Sequence, residues 1–240
     1  MKVTVIIPAA GMGTRMVPAH GAQPAAPKQF TEIRGVPIII YTLRAFASSP
    51  LVDRIVVATL ENATEKLQTE ITKFGLTEKV SVVVGGKNRQ ESVSNALTTV
   101  SGSDSDIVLV HDAVRPFVTT EIIQHVIQGV RKHGAAIAGV PAIDTIKQVE
   151  RTTEGALITT TIPREHIVLA QTPQGFHLGL LRSTFADAAA DGFVGTDEAS
   201  LVERAGHPVA VVMGSPRNFK ITTPGDLALA EFYLSQKEHA

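Results

Sequence analysis

The 240-residue chain contains no cysteine. That excludes disulfides, thiolate catalysis and cysteine-held metal. It has almost no net charge, since 22 Lys and Arg against 23 Asp and Glu leave −1. Without a basic field, neither nucleic acid nor an anionic membrane is an expected partner, so an anionic substrate must be gripped by charges gathered locally. No apolar run is long enough to span a bilayer. The N-terminus runs straight into a strand, without the apolar segment and cleavage site of a secretory signal. A lack of cysteine suits any compartment, so it is the missing signal that points to the cytoplasm. The 8 histidines are scattered without ligand spacing, which leaves no histidine metal site to expect. Linkers, repeats and low-complexity segments are absent. With 44% hydrophobic residues and 19% charged, residues 1–240 read as one α/β domain with a sizeable core.

What is present is concentrated in Pro8-Ala9-Ala10-Gly11-Met12-Gly13-Thr14-Arg15-Met16, with Pro27-Lys28-Gln29 beyond it. The first stretch follows a β-branched run at residues 3–7, which reads as a buried strand. A strand entering a small-residue loop lets backbone N–H groups turn toward a phosphate. Gly11 and Gly13 allow close approach, and Arg15 and Lys28 bring positive charge to the same sheet end. This equipment suits a nucleoside triphosphate. A dinucleotide fingerprint is the nearest rival, but Met16 occupies its third glycine position. Pro18, Gly21, Pro24 and Pro27 also break the helix that should follow. A Walker A loop fails for want of Gly-Lys-Ser/Thr. The bland alternative is a tight turn with an incidental arginine.

Further strands are expected at residues 54–59, 80–84, 106–110 and 135–140, with helices near 37–48, 63–74, 89–100 and 120–133. Pro37 suits a first helical position. The alternation predicts a mostly parallel twisted sheet with helices on both faces, with ligands outside the carboxyl ends of the strands. Residues 17–27 read as a loop. Residues 143–163 break the rhythm. The β-like runs 145–149 and 156–161 flank Thr153-Glu154-Gly155 and read as a hairpin. Rich in threonine, it has little to bury alone, so it either packs on a partner subunit or folds back on its own domain. A strand at 166–170 and helices at 178–191, 198–205 and 225–237 complete the reading.

Other clusters lie at the expected ligand edge. His111-Asp112-Ala113-Val114-Arg115-Pro116 follows a strand. Asp112 there is either a Mg²⁺ ligand, with substrate phosphates completing the shell, or a cap for the next turn. Arg115 either binds an anion or braces Asp112. Gly85 and Gly86, with Ser92 beyond, suit the edge of a base. Thr196 or Asp197 caps a helix, and Lys220 is a candidate phosphate contact.

In order along nearly the whole chain, these segments resemble the 2-C-methyl-D-erythritol 4-phosphate cytidylyltransferase family. The resemblance is carried by Pro-Ala-Ala-Gly-x-Gly-x-Arg-Met, Pro-Lys-Gln, His-Asp-Ala-x-Arg-Pro, Asp-Thr-Ile-Lys, Gln-Thr-Pro-Gln, Thr-Asp-Glu-Ala-Ser and Phe-Lys-Ile-Thr. It implies a nucleotidyltransferase that joins CTP to 2-C-methyl-D-erythritol 4-phosphate and releases pyrophosphate, in non-mevalonate isoprenoid synthesis. It also implies Mg²⁺ as cofactor and a homodimer built through the hairpin as an arm. By resemblance, Pro8, Ala9, Ala10, Gly11, Met12, Gly13, Gly85, Gly86 and Ser92 hold the nucleotide, and Asp112 is the metal-associated acid. Arg15 and Lys28 stabilise the transition state. Asp112, Arg115, Thr145, Arg164, Thr196 and Lys220 face the sugar phosphate, where Arg164 and Lys220 place the attacking phosphate. The arm carries Thr145 and Arg164 toward the neighbour's site.

The interval between Arg15 and Lys28 is longer than the family's pattern, and Lys87 stands where some members carry an acid. Ribitol-5-phosphate cytidylyltransferase shares His-Asp-Ala-Val-Arg-Pro-Phe, but Asp144-Thr145-Ile146-Lys147 and Thr196-Asp197-Glu198-Ala199-Ser200 favour the methylerythritol family. A nicotinamide oxidoreductase is disfavoured by Met16 and the proline-broken loop. A non-catalytic nucleotide sensor is disfavoured by Arg15, Lys28, Asp112 and Lys220 together.

Overall fold

The structure is a computed structural model and describes residues 1–11 and 27–237. Eleven strands and seven α-helices are found among them. In chain order they are β1 (Val3–Ala9), β2 (Glu32–Ile33), β3 (Val36–Pro37), α1 (Ile38–Ala47), β4 (Arg54–Thr59), α2 (Thr64–Lys73), β5 (Val80–Val84), α3 (Arg89–Thr98), β6 (Ile107–Val110), α4 (Thr120–His133) and β7 (Ala135–Pro141). Then come β8 (Ile146–Thr152), β9 (Gly155–Ile162), β10 (Val168–His177), α5 (Leu178–Ala190), α6 (Glu198–Arg204), β11 (Ala210–Met213) and α7 (Pro224–Lys237).

Seven strands form the central sheet in the order β11-β7-β10-β6-β1-β4-β5. All run the same way except β10, which pairs antiparallel with both β6 and β7. The sheet is therefore mixed but mostly parallel. Side chains alternate across a strand, and both faces are apolar. Val5, Ile7, Ile55, Val57, Ile107 and Leu109 point to one face, where they meet Leu43, Leu67, Ile123 and Val126 of α1, α2 and α4. Ile6, Val56, Val108 and Val110 point to the other, against Val93, Leu97, Leu181, Phe185 and Leu201 of α3, α5 and α6. Helices thus cover both faces, as the alternation of the sequence predicts. No described helix is long and apolar enough to cross a membrane.

Local chemistry sets the boundaries. Thr119 caps α4 by accepting from Ile122 N, and Gly134 ends it at φ 85°. Asn88 caps α3 through Glu91 N, and Asp197 with Ser200 forms a capping box on α6. Two expectations need correction. Pro37 is not a helical residue: it ends β3 with extended backbone (φ −57°, ψ 139°), and α1 starts at Ile38. The strand expected at 166–170 starts two residues later, because residues 164–166 form a 3-10 turn, and it continues to His177.

β8 and β9 form a separate two-stranded antiparallel ribbon with a bulge between Gln148 and Val149. It is exposed almost throughout. Its larger apolar side chains stand in solvent, with Val149 46%, Leu157 67% and Ile158 64% exposed.

Candidate active site

Four parallel strands end at one edge of the sheet, and the segments that follow them wall a cavity of about 480 Å³. Ala10 and Gly11 follow β1, Leu60 follows β4, Gly86 follows β5 and Asp112 follows β6; all five line it, with Lys28 and Lys220. This is where ligands collect in such sheets. The two glycines after β5 are required by close packing. A Cβ on Gly85 would sit 2.7 Å from the Ala10 Cβ, so the loops after β1 and β5 close only over glycine. A Cβ on Gly86 would sit 2.2 Å from the Glu91 Cβ. Ser92 is buried and ties this loop to α3: its hydroxyl accepts from Gly86 N at 3.0 Å and donates to Asn88 O at 2.8 Å. Gln29, also buried, donates through Nε2 to Ala9 O, joining the 3-10 turn at residues 28–30 to the end of β1.

Asp112 is the electrostatic centre. Its Oδ2 faces Lys220 Nζ at 3.0 Å and Arg115 Nε at 3.1 Å. Its Oδ1 faces Arg89 Nε at 3.5 Å. Burial alone pushes this carboxyl up, but Lys220, Arg89 and Arg115 together hold it well below the usual carboxylate range. Arg89 also donates through Nη1 to both oxygens of Glu198, at 2.7 and 2.8 Å. Burial pushes Glu198 up, against the pull of Arg89.

The surrounding chain fixes these groups. Asp112 N donates to Thr172 Oγ1, and that hydroxyl lies 3.0 Å from His111 Nδ1. His111 Nε2 lies 3.1 Å from the Arg115 carbonyl, which can only accept. The ring is therefore the neutral Nε2–H tautomer, with Thr172 donating to Nδ1. Burial agrees, pushing His111 down to about 4. On the other side, Arg115 Nη1 donates to Asn218 O, and Ile221 N donates to Val114 O. These bonds lay residues 218–221 beside residues 112–115 and bring Lys220 to the carboxylate.

The predicted residues divide into three groups. Pro8, Ala9, Ala10, Gly11, Lys28, Gly86, Ser92, Asp112 and Lys220 line the cavity, and Gly85 and Arg115 lie directly behind it. Of the two roles open to Arg115, the structure shows bracing. Thr145, Arg164 and Thr196 are exposed and are not among the described residues that line the cavity. Arg164 instead donates to the Ile143 carbonyl at 2.6 Å. Met12, Gly13 and Arg15 lie outside the described residues. The sequence reading assigned no role to Arg89 or Glu198, which stand 109 positions apart.

The family model for 2-C-methyl-D-erythritol 4-phosphate cytidylyltransferase matches residues 3–236. The chain belongs to this family. It is 61% identical to a 2-C-methyl-D-erythritol 4-phosphate cytidylyltransferase of Acidobacterium capsulatum, with 99% of each chain covered. It is 48% identical to the one of Solibacter usitatus, over 99% of this chain and 97% of that one. The solved structure from Francisella tularensis superposes with a TM-score of 0.79 at 35% identity, covering 97% of this chain and 99% of that one. The one from Thermus thermophilus gives 0.77 at 34%, covering 97% and 98%. Membership of this nucleotidyltransferase family gives the glycine loops and the charge cluster around Asp112 a common purpose at one cavity. It favours neither the ribitol phosphate nor the nicotinamide alternative.

Proposed function

We propose that this chain transfers the cytidylyl group of CTP to 2-C-methyl-D-erythritol 4-phosphate, releasing pyrophosphate. The observation that carries the chemistry is the cavity at the strand ends, with a glycine-built wall on one side and Lys220, Arg89 and Arg115 gathered at Asp112 on the other. Family membership supplies the substrates. A phosphate oxygen of the acceptor attacks the α-phosphorus of CTP. A P–O bond forms there, the bond to the bridging oxygen breaks, and pyrophosphate leaves with the electron pair. The attacking phosphate is already an anion, so no general base is needed. The reaction needs in-line placement and neutralisation of charge. Lys28, Arg89 and Lys220 line the cavity and supply fixed positive charge.

A magnesium ion fits this donor set. Asp112 Oδ2 is taken by Lys220 and Arg115, while Oδ1, among the described residues, faces the more distant Arg89 Nε. One carboxylate oxygen plus triphosphate oxygens is an ordinary magnesium shell. Asp112 would hold the ion, which when bound neutralises phosphate charge.

Pyrophosphate release tests this reading. With CTP and Mg²⁺, 2-C-methyl-D-erythritol 4-phosphate should support turnover and ribitol 5-phosphate should not. Equal or faster turnover with ribitol 5-phosphate would overturn the acceptor while leaving the reaction class standing.

The same reading makes the enzyme a homodimer through the β8–β9 arm, with Arg164 serving the neighbour's site. It is supported by the bare apolar side chains of the ribbon, and by the place of Arg164 at its base, away from its own cavity. Mixing Lys28→Ala with Arg164→Ala subunits should then restore activity. Half of randomly paired dimers are mixed, and half of their sites carry neither lesion, so recovery should reach about a quarter of wild type under closed two-fold symmetry. Verified subunit exchange with no recovery would refute the shared site.

A further inference from the structure

Glu198 lies behind the cavity wall and does not line the cavity, yet it is tied to the charge cluster. It is 1% exposed, and both of its oxygens accept from a single atom, Arg89 Nη1. The same guanidinium lines the cavity and turns Nε toward Asp112. Arg89 therefore stands between two carboxylates, one sealed behind it and one facing the substrate. The next residue reinforces the placement. Gln90 Nε2 donates to Phe193 O at 3.0 Å and its Oε1 accepts from Gly195 N at 2.8 Å. The first turn of α3 is thus fastened to the segment that leads into Glu198. From the sheet side, Gln174 donates to Asp197 Oδ2 at 2.7 Å and accepts from Ala199 N at 3.1 Å. Glu198 is held rigidly on both flanks.

For stability alone, an apolar pair of similar volume would serve as well, because desolvating two charges offsets most of their attraction. What an apolar pair cannot do is set the angle of a guanidinium. Released from Glu198, the planar fork of Arg89 could close on Asp112 as a bidentate pair. That would cover Oδ1 and turn the guanidinium away from the cavity.

We propose that Glu198 is a positioning residue for nucleotidyl transfer: it holds Arg89 in the cavity wall and stops it closing fully on Asp112, so that the guanidinium stays available to the triphosphate and Oδ1 of Asp112 stays uncovered. This rests on the nucleotidyl-transfer reading above. Glu198→Gln keeps the volume and an acceptor but loses the charge. It should lower kcat/KM for CTP about 10- to 100-fold, by analogy with the loss of a partner that orients a metal ligand, and leave KM for the acceptor unchanged. In an Arg89→Met background the same substitution should do nothing further, since its target is gone. A folded Glu198→Gln enzyme with wild-type kcat/KM for CTP overturns the proposal, as does an equal loss in the Arg89→Met background. Should Glu198→Gln not fold, Arg89→Lys takes its place, because one point charge cannot serve both carboxylates in this geometry. Wild-type kcat/KM there overturns the proposal equally. Failure of the unaltered enzyme to release pyrophosphate from CTP would instead refute the function itself.

Discussion

Lys220→Met is expected to lower kcat for pyrophosphate release by about 10²- to 10³-fold, the cost of losing one preorganised charge at a site where charge develops. The side chain is long enough to place its ammonium 3.0 Å from Asp112 at the cavity edge. Its backbone is held by other means. Ile221 is fully buried and bonds Val114, and Asn218, also buried, bonds Thr172 and Gln171. Methionine should therefore remove the charge and leave the loop in place. Asp112 keeps Arg115 and Arg89, so the carboxylate is not stranded. Steady-state kinetics with both substrates, beside a thermal melt, check this. If KM rose while kcat held, Lys220 would contribute only to ground-state binding.

Asp112→Ala should be the most damaging single change. It leaves three cations facing one another in a nearly closed space, since Asp112 is only 7% exposed. Breaking a buried ion pair by removing one partner costs about 3–5 kcal/mol. Denaturant unfolding should show that loss at neutral pH together with loss of activity. The pH dependence has a definite sign. The folded-state pKa of Asp112 is depressed, so its contribution is fully present above the ordinary aspartate value of about 3.9. It is lost only as pH falls through the lower folded value. The stability gap between wild type and Asp112→Ala should therefore be constant from neutrality down to about pH 4 and should close below it. A gap that closed at higher pH would mean that Asp112 is not the hub of the cluster.

Much of this was legible in the sequence because it is local. The apolar runs Val5-Ile6-Ile7 of β1 and those of β4 and β6 are continuous, as strands buried on two faces must be, and β5 at the sheet edge is apolar but for Ser81. The residues that end them, Ala10, Gly86 and Asp112, could be placed at one edge from the alternation alone. What was not legible depends on distant partners. The middle of β10 contains Gln171, Thr172, Pro173 and Gln174, which do not look like part of a buried sheet. Their burial is possible because the two glutamines are satisfied by Ser215, Asn218, Asp197 and Ala199, and the Thr172 hydroxyl by His111 and Asp112. Arg89 and Glu198 read separately as ordinary charges at the starts of two helices. Only the tertiary fold shows that one neutralises the other. Asp112, singled out as a metal ligand or a cap, gave no local sign of the cations from α3 and from residue 220.

The position of β10 also bears on how the polypeptide is made. Synthesis delivers β1, β4, β5 and β6 first, and these pair with one another without help from later residues. β7 cannot join them, because β10 must lie between it and β6. β7 ends at Pro141, and the residues of β10 that pair with β6 are Gln174–His177. At about 5–20 residues per second, the ribosome takes a few seconds to cover that gap. Throughout that interval the Ile-Val-Leu-Val edge of β6 is open to any neighbouring nascent chain. A chain released before residue 174 never closes that edge, so products ending there should be found with the insoluble material or with chaperones, whatever their catalytic residues.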